Sequence, residues 1–180
     1  MFVCRVFFSM FLSGFEVVEK VLREFVSSEC VSGVSVELQL DRLYVLKPPK
    51  HQVYAEVRND VTVTPDYVEV QPEVIDLGSG RVVEVYTLSN VETYIAVLKP
   101  RVEMPENCFG VLLPRSSLLR CGVIAQGTLI DPGYKGNLRV LLKPTMPIRV
   151  ERGARLFHIV VYCRDKPFPK TYSGQWQGEK

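Results

Sequence analysis

The sequence is poor in the residues and patterns that mark several common kinds of site. It has two histidines in 180 residues, His51 and His158, which excludes a histidine-rich metal site. The net charge is only +2 and no basic stripe with interleaved aromatics is present, so neither nucleic acid nor a membrane surface is expected as a partner. No internal repeat or low-complexity linker divides the chain, and its length suits one domain with its own core.

Cysteines are few and widely spaced. The five are Cys4, Cys30, Cys108, Cys121 and Cys163, and no two of them form a C-x-x-C pair. An odd number without close pairs favours reduced thiols in a cytoplasmic protein over a disulfide framework or a zinc site. Because cysteine is among the most often buried residue types, we expect most of them in the core.

The apolar start of the chain, MFVCRVFFSMFLSGF, lacks the features of a secretion signal. Arg5 interrupts the run, no small-residue cleavage site follows it, and the run is too short to span a bilayer. We therefore expect no signal peptide. The first nine residues either form a packed strand or precede a translation start at Met10.

The periodicity of the chain predicts one helix followed by many strands. Residues 14–28 carry apolar side chains at the i, i+3, i+4 spacing of an amphipathic helix. After Gly33, short β-rich runs separated by proline and glycine predict an all-β fold, an antiparallel sandwich or distorted barrel of the jelly-roll type. Residues 1–168 are expected to form this domain, and the polar residues 169–180 a mobile tail. The candidate strands are VSVELQL, LYVL, VYAEV, VTVT, YVEV, RVVEVYTL, TYIAVLK, FGVLL, LRVLLK, IRV and RLFHIVVY.

The segment PRSSL is a candidate anion-binding site. Arg115, Ser116 and Ser117 follow the predicted strand FGVLL and offer a forked cation, two hydroxyls and successive backbone N–H groups at the start of a short helical turn. This combination suits the oxygens of a phosphate chain. The alternative is an ordinary exposed turn with a serine cap. Arg120 either joins the same site or faces solvent.

The segment GTLIDPGYKG is a candidate catalytic turn. Asp131 precedes Pro132-Gly133, where the chain must turn tightly, and an aspartate there can be a simple turn-former. However, the apolar residues before it and Tyr134 after it would place its carboxylate in a partly dry wall. A carboxylate in such a wall can orient and deprotonate a water molecule. Gly127 would allow the backbone of the surrounding hairpin to approach a flat ligand closely.

These two segments, with GVSVELQL upstream and RGARLFHIVV downstream, resemble the dUTPase and dCTP deaminase superfamily. The resemblance runs in order from the N-terminal helix to the tail YSGQWQG. It implies a dUTP diphosphatase, which hydrolyses dUTP to dUMP and diphosphate. It also implies a Mg²⁺ cofactor, held mainly by the phosphates of the substrate, and a homotrimer with active sites shared between subunits.

The resemblance also implies a role for each matching residue. Asp131 matches the aspartate that activates the attacking water in dUTPases, and Tyr134 the aromatic that packs on deoxyribose and disfavours a 2′-hydroxyl. The other implied groups are triphosphate contacts at Arg115, Ser116, Ser117 and Arg120, a hairpin that reads the pyrimidine at Ala125, Gln126 and Gly127, and a tail that closes over the nucleotide at Tyr172 and Gln175.

One departure decides between the two branches of the superfamily. Deaminases of this kind carry a glutamate ten residues after the aspartate, which polarises the water that attacks the cytosine ring, but that position here is Leu141. No carboxylate lies between Asp131 and Glu151, and the zinc-deaminase signature is absent from the sequence. We therefore expect a dUTPase. The alternatives are a dCTP deaminase or bifunctional enzyme, and a non-catalytic nucleotide-binding module.

Three further features set the expected site apart. His158 replaces a glutamine usual in the downstream motif and is either a phosphate donor or a core histidine. Ala125 replaces an asparagine found in many dUTPases, and Glu37 is either a second carboxylate near the metal or a strand residue facing solvent. The tail and the first motif look more like the deaminase branch. Together they predict a deaminase-like scaffold with a dUTPase-type site.

Overall fold

A computed structural model describes residues 10–24, 26–47, 55–57 and 62–179. Within these ranges the chain is mostly β-strand, with two short α-helices and one short 3₁₀ helix at Ser28–Cys30. The helices are α1 (Gly14–Lys20) and α2 (Ser116–Arg120), and the strands are β1 (Met10–Phe11), β2 (Val36–Leu46), β3 (Glu56–Val57), β4 (Thr62–Val63), β5 (Tyr67–Val70), β6 (Glu73–Asp76), β7 (Val82–Leu88), β8 (Tyr94–Glu103), β9 (Cys108–Pro114), β10 (Val123–Gln126), β11 (Leu129–Ile130), β12 (Lys135–Pro144), β13 (Ile148–Glu151) and β14 (Arg155–Cys163).

The main sheet is antiparallel and curls on itself. Its strands run in the order β10-β12-β8-β2-β14-β9-β11. In addition, β1 pairs with β14 and β5 pairs with β2. The two strands that end this path, β10 and β11, are separated in the chain only by Gly127 and Thr128. The sheet therefore bends so that its opposite edges meet. A second sheet has the order β13-β7-β6, and β3 pairs with β4. The predicted jelly-roll-like β fold is confirmed.

Alternating burial explains the long central strands. Along β2 and β12, buried and half-buried positions alternate over much of the strand, so one face of each packs into the core. The runs VSVELQL and LYVL, predicted as two strands, form the single strand β2. The pairing register of β2 with β8 shifts between Leu40 and Arg42, which accounts for the break in the pattern.

The N-terminal helix is shorter than predicted. Ser13 caps α1 in a capping box with Glu16, and the helix ends at Lys20 instead of residue 28. Beyond it, the backbone of Leu22 bridges to Val102 of β8, so the chain bonds to the sheet and cannot continue the helical ladder. The apolar stripe nevertheless marked the core correctly, because Val17 is fully buried. No helix in the described ranges is long and apolar enough to cross a membrane.

The prediction of unpaired cysteines is wrong for two of the five. Cys108 and Cys163 lie directly opposite each other on β9 and β14, with Cα atoms 4.1 Å apart, and form a disulfide. Sheet pairing brings together residues 55 positions apart in sequence, which spacing alone did not indicate. Cys30 is buried and free, Cys121 is exposed and free, and Cys4 lies outside the described residues.

Candidate active site

A cavity of about 540 Å³ opens beside the loop between β11 and β12. It contains Asp131 and Tyr134 of the predicted catalytic turn together with Tyr172 of the tail. Its wall is mostly aliphatic and aromatic. The remaining lining residues come from β2, β5, β8, β11, β12 and the segments beside them: Leu46, Thr64, Pro65, Tyr67, Ile95, Thr128, Leu129, Ile130, Leu138, Arg139, Leu141, Trp176 and Glu179.

The catalytic turn is fixed by backbone hydrogen bonds to the end of β8. The Met104 N–H donates to the Tyr134 carbonyl at 2.8 Å, and the Gly133 N–H donates to the Met104 carbonyl at 3.1 Å. Gly133 has a φ of +78°, a conformation that glycine adopts without strain. The turn therefore holds Asp131 and Tyr134 at a defined place on the cavity wall.

Asp131 presents its carboxylate to solvent at the cavity. The side chain is exposed and has no hydrogen-bond or ion-pair partner among the described residues, whereas Pro132 beside it is buried. An aspartate that only shaped the turn would normally bond to backbone amides nearby. This carboxylate is instead available to hold a water molecule.

Tyr134 is buried beside the aspartate. Its side chain is 8% exposed, and its hydroxyl donates to the Asn137 carbonyl at 2.9 Å. Its ring meets that of Tyr172 edge-on, with centroids 5.4 Å apart. Burial raises the pKa of Tyr134 to about 12, so the phenol stays protonated at neutral pH. The residue can pack against a ligand and cannot serve as a base there.

Leu141 lies in the same cavity. It is half-buried on β12, opposite Gln126 of β10 and Ile95 of β8. The position where the deaminases carry glutamate is therefore an aliphatic part of the wall. Ala125, Gln126 and Gly127, predicted to read the base, do not line the cavity. A Cβ on Gly127 would overlap the Leu112 carbonyl oxygen, so this glycine serves close backbone packing.

The tail lies along the catalytic turn of the same chain. The Tyr172 N–H donates to the Pro132 carbonyl at 2.7 Å. The Gln177 amide accepts from the Lys135 N–H and donates to the Gly133 carbonyl, both at 2.9 Å. Gln175 donates to the Thr62 carbonyl and is not part of the cavity wall. Of the two predicted tail residues, Tyr172 alone lines the cavity, and Trp176 and Glu179 join it.

An ion pair inside the cavity was not predicted from the sequence. Arg139 Nε lies 2.8 Å from Glu179 Oε1, and Arg139 Nη1 donates to the Tyr67 hydroxyl at 2.9 Å. Burial raises the pKa of Glu179, while the charge of Arg139 acts in the opposite direction. Only the polar alternation of β12 hinted that Arg139 faces away from the core, and no sequence signal connected it with Glu179.

The predicted phosphate-binding residues form a separate cluster. Arg115 and Arg155 both contact the Glu37 carboxylate, at 2.8 and 2.9 Å. Glu37 is therefore an ion-paired residue and not a strand residue facing solvent. Ser116 and Ser117 are exposed at the start of α2, and Arg120 is exposed at its end. The helix has no side-chain cap hydrogen bond, so the serines are not caps.

This cationic cluster and Asp131 lie at opposite ends of β9. Ile130 pairs with Gly110, and Arg115 lies five residues further along the chain. Asp131 follows Ile130 in the direction away from Arg115, so at about 3.3 Å per strand residue the two residues are separated by roughly 20 Å along the chain direction. None of Arg115, Ser116, Ser117 and Arg120 lines the cavity. The two predicted halves of the site therefore do not share this cavity.

His158 belongs to the side of the cationic cluster. It lies on β14 directly opposite Glu37 of β2, and its Nδ1 is 3.2 Å from the hydroxyl of buried Ser35. The ring is half-buried and engaged with that hydroxyl. No three metal-ligating side chains gather anywhere in the described part of the chain.

Comparison with known proteins identifies the family. A family model for dCTP deaminase-like proteins matches residues 15–163. The chain belongs to this dCTP deaminase-like family. The predicted resemblance to the dUTPase and dCTP deaminase superfamily is thereby confirmed, and members of the family are enzymes of one or the other kind.

Relatives of the chain are named as dUTP nucleotidohydrolases or as dCTP deaminases. The chain is 34% identical, over 69% of its length and 74% of the relative, to a probable deoxyuridine 5′-triphosphate nucleotidohydrolase of Methanopyrus kandleri. It is 33% identical to the enzyme so named from Methanocaldococcus jannaschii, over 67% and 71% of the two chains. It is 30% identical to a dCTP deaminase of Desulfurococcus amylolyticus, and spans 53% of that chain, about half its length.

A solved structure supports the fold. The crystal structure of the dCTP deaminase of Agrobacterium tumefaciens superposes with a TM-score of 0.62 over 86% of this chain and 48% of that chain. Sequence identity in that superposition is 18%, so the likeness concerns the fold alone.

Proposed function

We propose that the protein hydrolyses dUTP to dUMP and diphosphate. The observation that carries this proposal is the pairing of Asp131 with Leu141 in one cavity. The carboxylate needed to activate water for attack at phosphorus is present and unpaired among the described residues. The position that carries the deaminases' glutamate is aliphatic, and leucine can neither accept nor deliver a proton.

The chemistry follows from these groups. Asp131 would hold a water molecule, accept one of its protons and direct the oxygen at the α-phosphorus of dUTP. The new phosphorus–oxygen bond forms as the bond to the bridging oxygen of the β-phosphate breaks, and diphosphate leaves with that oxygen. Tyr134, buried and neutral, would pack against the deoxyribose. Arg115, Ser116, Ser117 and Arg120 would contact the phosphates, where fixed donors stabilise the developing charge.

A magnesium ion fits this arrangement without a protein cage. Mg²⁺ is often bound through substrate phosphates and few protein carboxylates. When bound, the ion would neutralise charge on the phosphate oxygens.

A site shared between subunits would bring its two halves together. Asp131 and Arg115 of one chain are separated by roughly 20 Å along β9 at the usual rise per strand residue, and Arg115 does not line the cavity. Symmetric assembly would bring the cationic cluster of one subunit to the cavity of its neighbour. We therefore propose a homotrimer with shared sites, in keeping with the superfamily resemblance.

Deamination of dCTP is the second candidate, and Glu179 favours it. Although the cavity has no carboxylate at Leu141, the tail brings the Glu179 carboxylate into the same wall. Burial raises its pKa, the direction that suits a group exchanging protons near neutral pH. Relatives of this chain are named as dCTP deaminases as well as dUTPases.

Product analysis separates these functions. The protein is incubated with dUTP or dCTP in the presence of Mg²⁺, and the nucleotides are resolved by chromatography. Release of dUMP from dUTP, with dCTP left intact, supports the dUTPase proposal. Formation of dUTP or dUMP from dCTP would establish the second candidate, and binding of both nucleotides without turnover would indicate a non-catalytic module.

A further inference from the structure

Arg139 is held on the cavity wall by contacts with Glu179, Tyr67 and Tyr44, among the described residues. Its guanidinium faces the Glu179 carboxylate at 2.8 Å and donates to the Tyr67 hydroxyl at 2.9 Å. Its Cζ atom lies 5.5 Å from the ring centroid of Tyr67 and 5.8 Å from that of Tyr44. Aromatic faces and a carboxylate together hold a guanidinium in one orientation. Arg139 is thus a preorganised polar group in a mostly apolar cavity.

The charges of the cavity argue against a phosphate ligand beside Arg139. Among the described residues, the charged side chains on its wall are those of Asp131, Arg139 and Glu179. Two of these three are carboxylates, which suit a phosphate beside Arg139 poorly, and the arginines that suit the β- and γ-phosphates lie elsewhere, around Arg115. A neutral flat ring meets no such penalty. The aromatic side chains of Tyr67, Tyr134 and Trp176 offer surfaces against which a ring can stack.

We propose that Arg139 is a specificity-determining residue that selects uracil over cytosine in this cavity, an inference that rests on the proposed dUTPase function. A guanidinium carries five N–H donors and no acceptor. Uracil presents a carbonyl oxygen at both ring positions 2 and 4, whereas cytosine carries an amino group at position 4. A donor-only side chain bonds to the 4-carbonyl and opposes the 4-amino group. Leu141 lies two residues further along the same face of β12 and also lines the cavity. Its side chain has no acceptor that could bond to the 4-amino group of cytosine.

The test compares nucleotides on matched variants of the full chain. Diphosphate release from dUTP and from dCTP gives the ratio of the two kcat/KM values, or its lower limit where dCTP is not turned over, for the parent, Arg139→Gln and Arg139→Lys. Glutamine can present an acceptor to the 4-amino group of cytosine. The preference of Arg139→Gln for uracil should therefore fall about tenfold or more, the usual effect of losing a charged hydrogen bond. Lysine keeps a donor-only cation but lacks the planar guanidinium, so Arg139→Lys should lose less of the uracil preference. Arg149→Gln, an exposed change on β13 outside the cavity, should leave the ratio unchanged.

Binding of non-hydrolysable imido analogues of dUTP and dCTP keeps the inference separate from the proposed function. If the parent releases no diphosphate but binds the uracil analogue better, and Arg139→Gln loses that preference, the function fails and the inference stands. If the parent hydrolyses dUTP and folded Arg139→Gln keeps its preference within about threefold, the inference is wrong and the function stands. Melting temperatures identify folded variants, and Arg139→Lys decides the question if Arg139→Gln does not fold. A parent without uracil preference in either assay also overturns the inference.

Discussion

Asp131 and Leu141 line the same cavity, one from the turn after β11 and the other from β12. Ten positions of the sequence separate them, yet both side chains line this cavity. A carboxylate on the turn and an aliphatic group on the strand is the combination that favours attack on phosphorus over attack on a pyrimidine ring.

Replacing Asp131 with asparagine should lower kcat for dUTP by about 10²–10⁴-fold, because the change removes the proposed base and keeps its size. Nucleotide affinity should change little. Single-turnover kinetics with calorimetric binding separate the two effects. Asp165→Asn, an exposed change after β14, is the matched control and should behave like the parent. Turnover by Asp131→Asn within about threefold of the parent would show that another group activates the water.

Removing residues 169–180 should lower kcat/KM for dUTP and leave a folded protein. The tail contributes Tyr172, Trp176 and Glu179 to the cavity wall, so its loss opens the site to water. The main sheet ends at Cys163 and keeps its pairing without the tail. Thermal melting and steady-state kinetics on both chains check this prediction. Lys170→Ala serves as a control within the tail, and unchanged kinetic constants after truncation would assign the tail no part in catalysis.

Mixing two inactive variants should restore activity if sites are shared. Asp131→Asn and Arg115→Gln each disable one half of the proposed site. In randomly mixed trimers, about a quarter of the sites would join an intact Asp131 from one subunit to an intact Arg115 from the next. The two proteins are unfolded together, refolded and assayed with dUTP, and each variant refolded alone is the control. Recovery no greater than the sum of the controls would place both residues of a working site in one subunit or show that Arg115 is not needed.

Docking of the tail should strengthen as the pH falls toward 4.5. Burial raises the pKa of Glu179 above its ordinary value of 4.5 when the tail is docked. The docked state then binds a proton more tightly than the free tail, so its extra stability is present below the ordinary pKa and is lost as pH rises through the docked value. The protein has one tryptophan, Trp176 on the cavity wall, and its fluorescence reports docking. Glu179→Gln should remove this pH dependence, and an identical titration in the variant would contradict the assignment.

Local signals in the sequence predicted more of the molecule than long-range ones. Alternation and turn residues indicated the strands, and Asp131 and Tyr134, three positions apart in the sequence, both line the cavity. The contact between Arg115 and Glu37 and the disulfide of Cys108 depend on which strands pair, which periodicity does not encode. The same is true of the end of α1, where bonding to β8 outweighs an apolar stripe that would allow further turns.

Hydrolysis in ¹⁸O-labelled water tests the central claim most directly. The protein is incubated with Mg²⁺ and either dUTP or dCTP, and the products are examined by mass spectrometry. The account predicts dUMP with a single ¹⁸O on its phosphate, unlabelled diphosphate, and no product from dCTP. Label in the diphosphate would move the attack away from the α-phosphorus. A uracil nucleotide carrying ¹⁸O on its ring, formed from dCTP, would show that the enzyme is a deaminase.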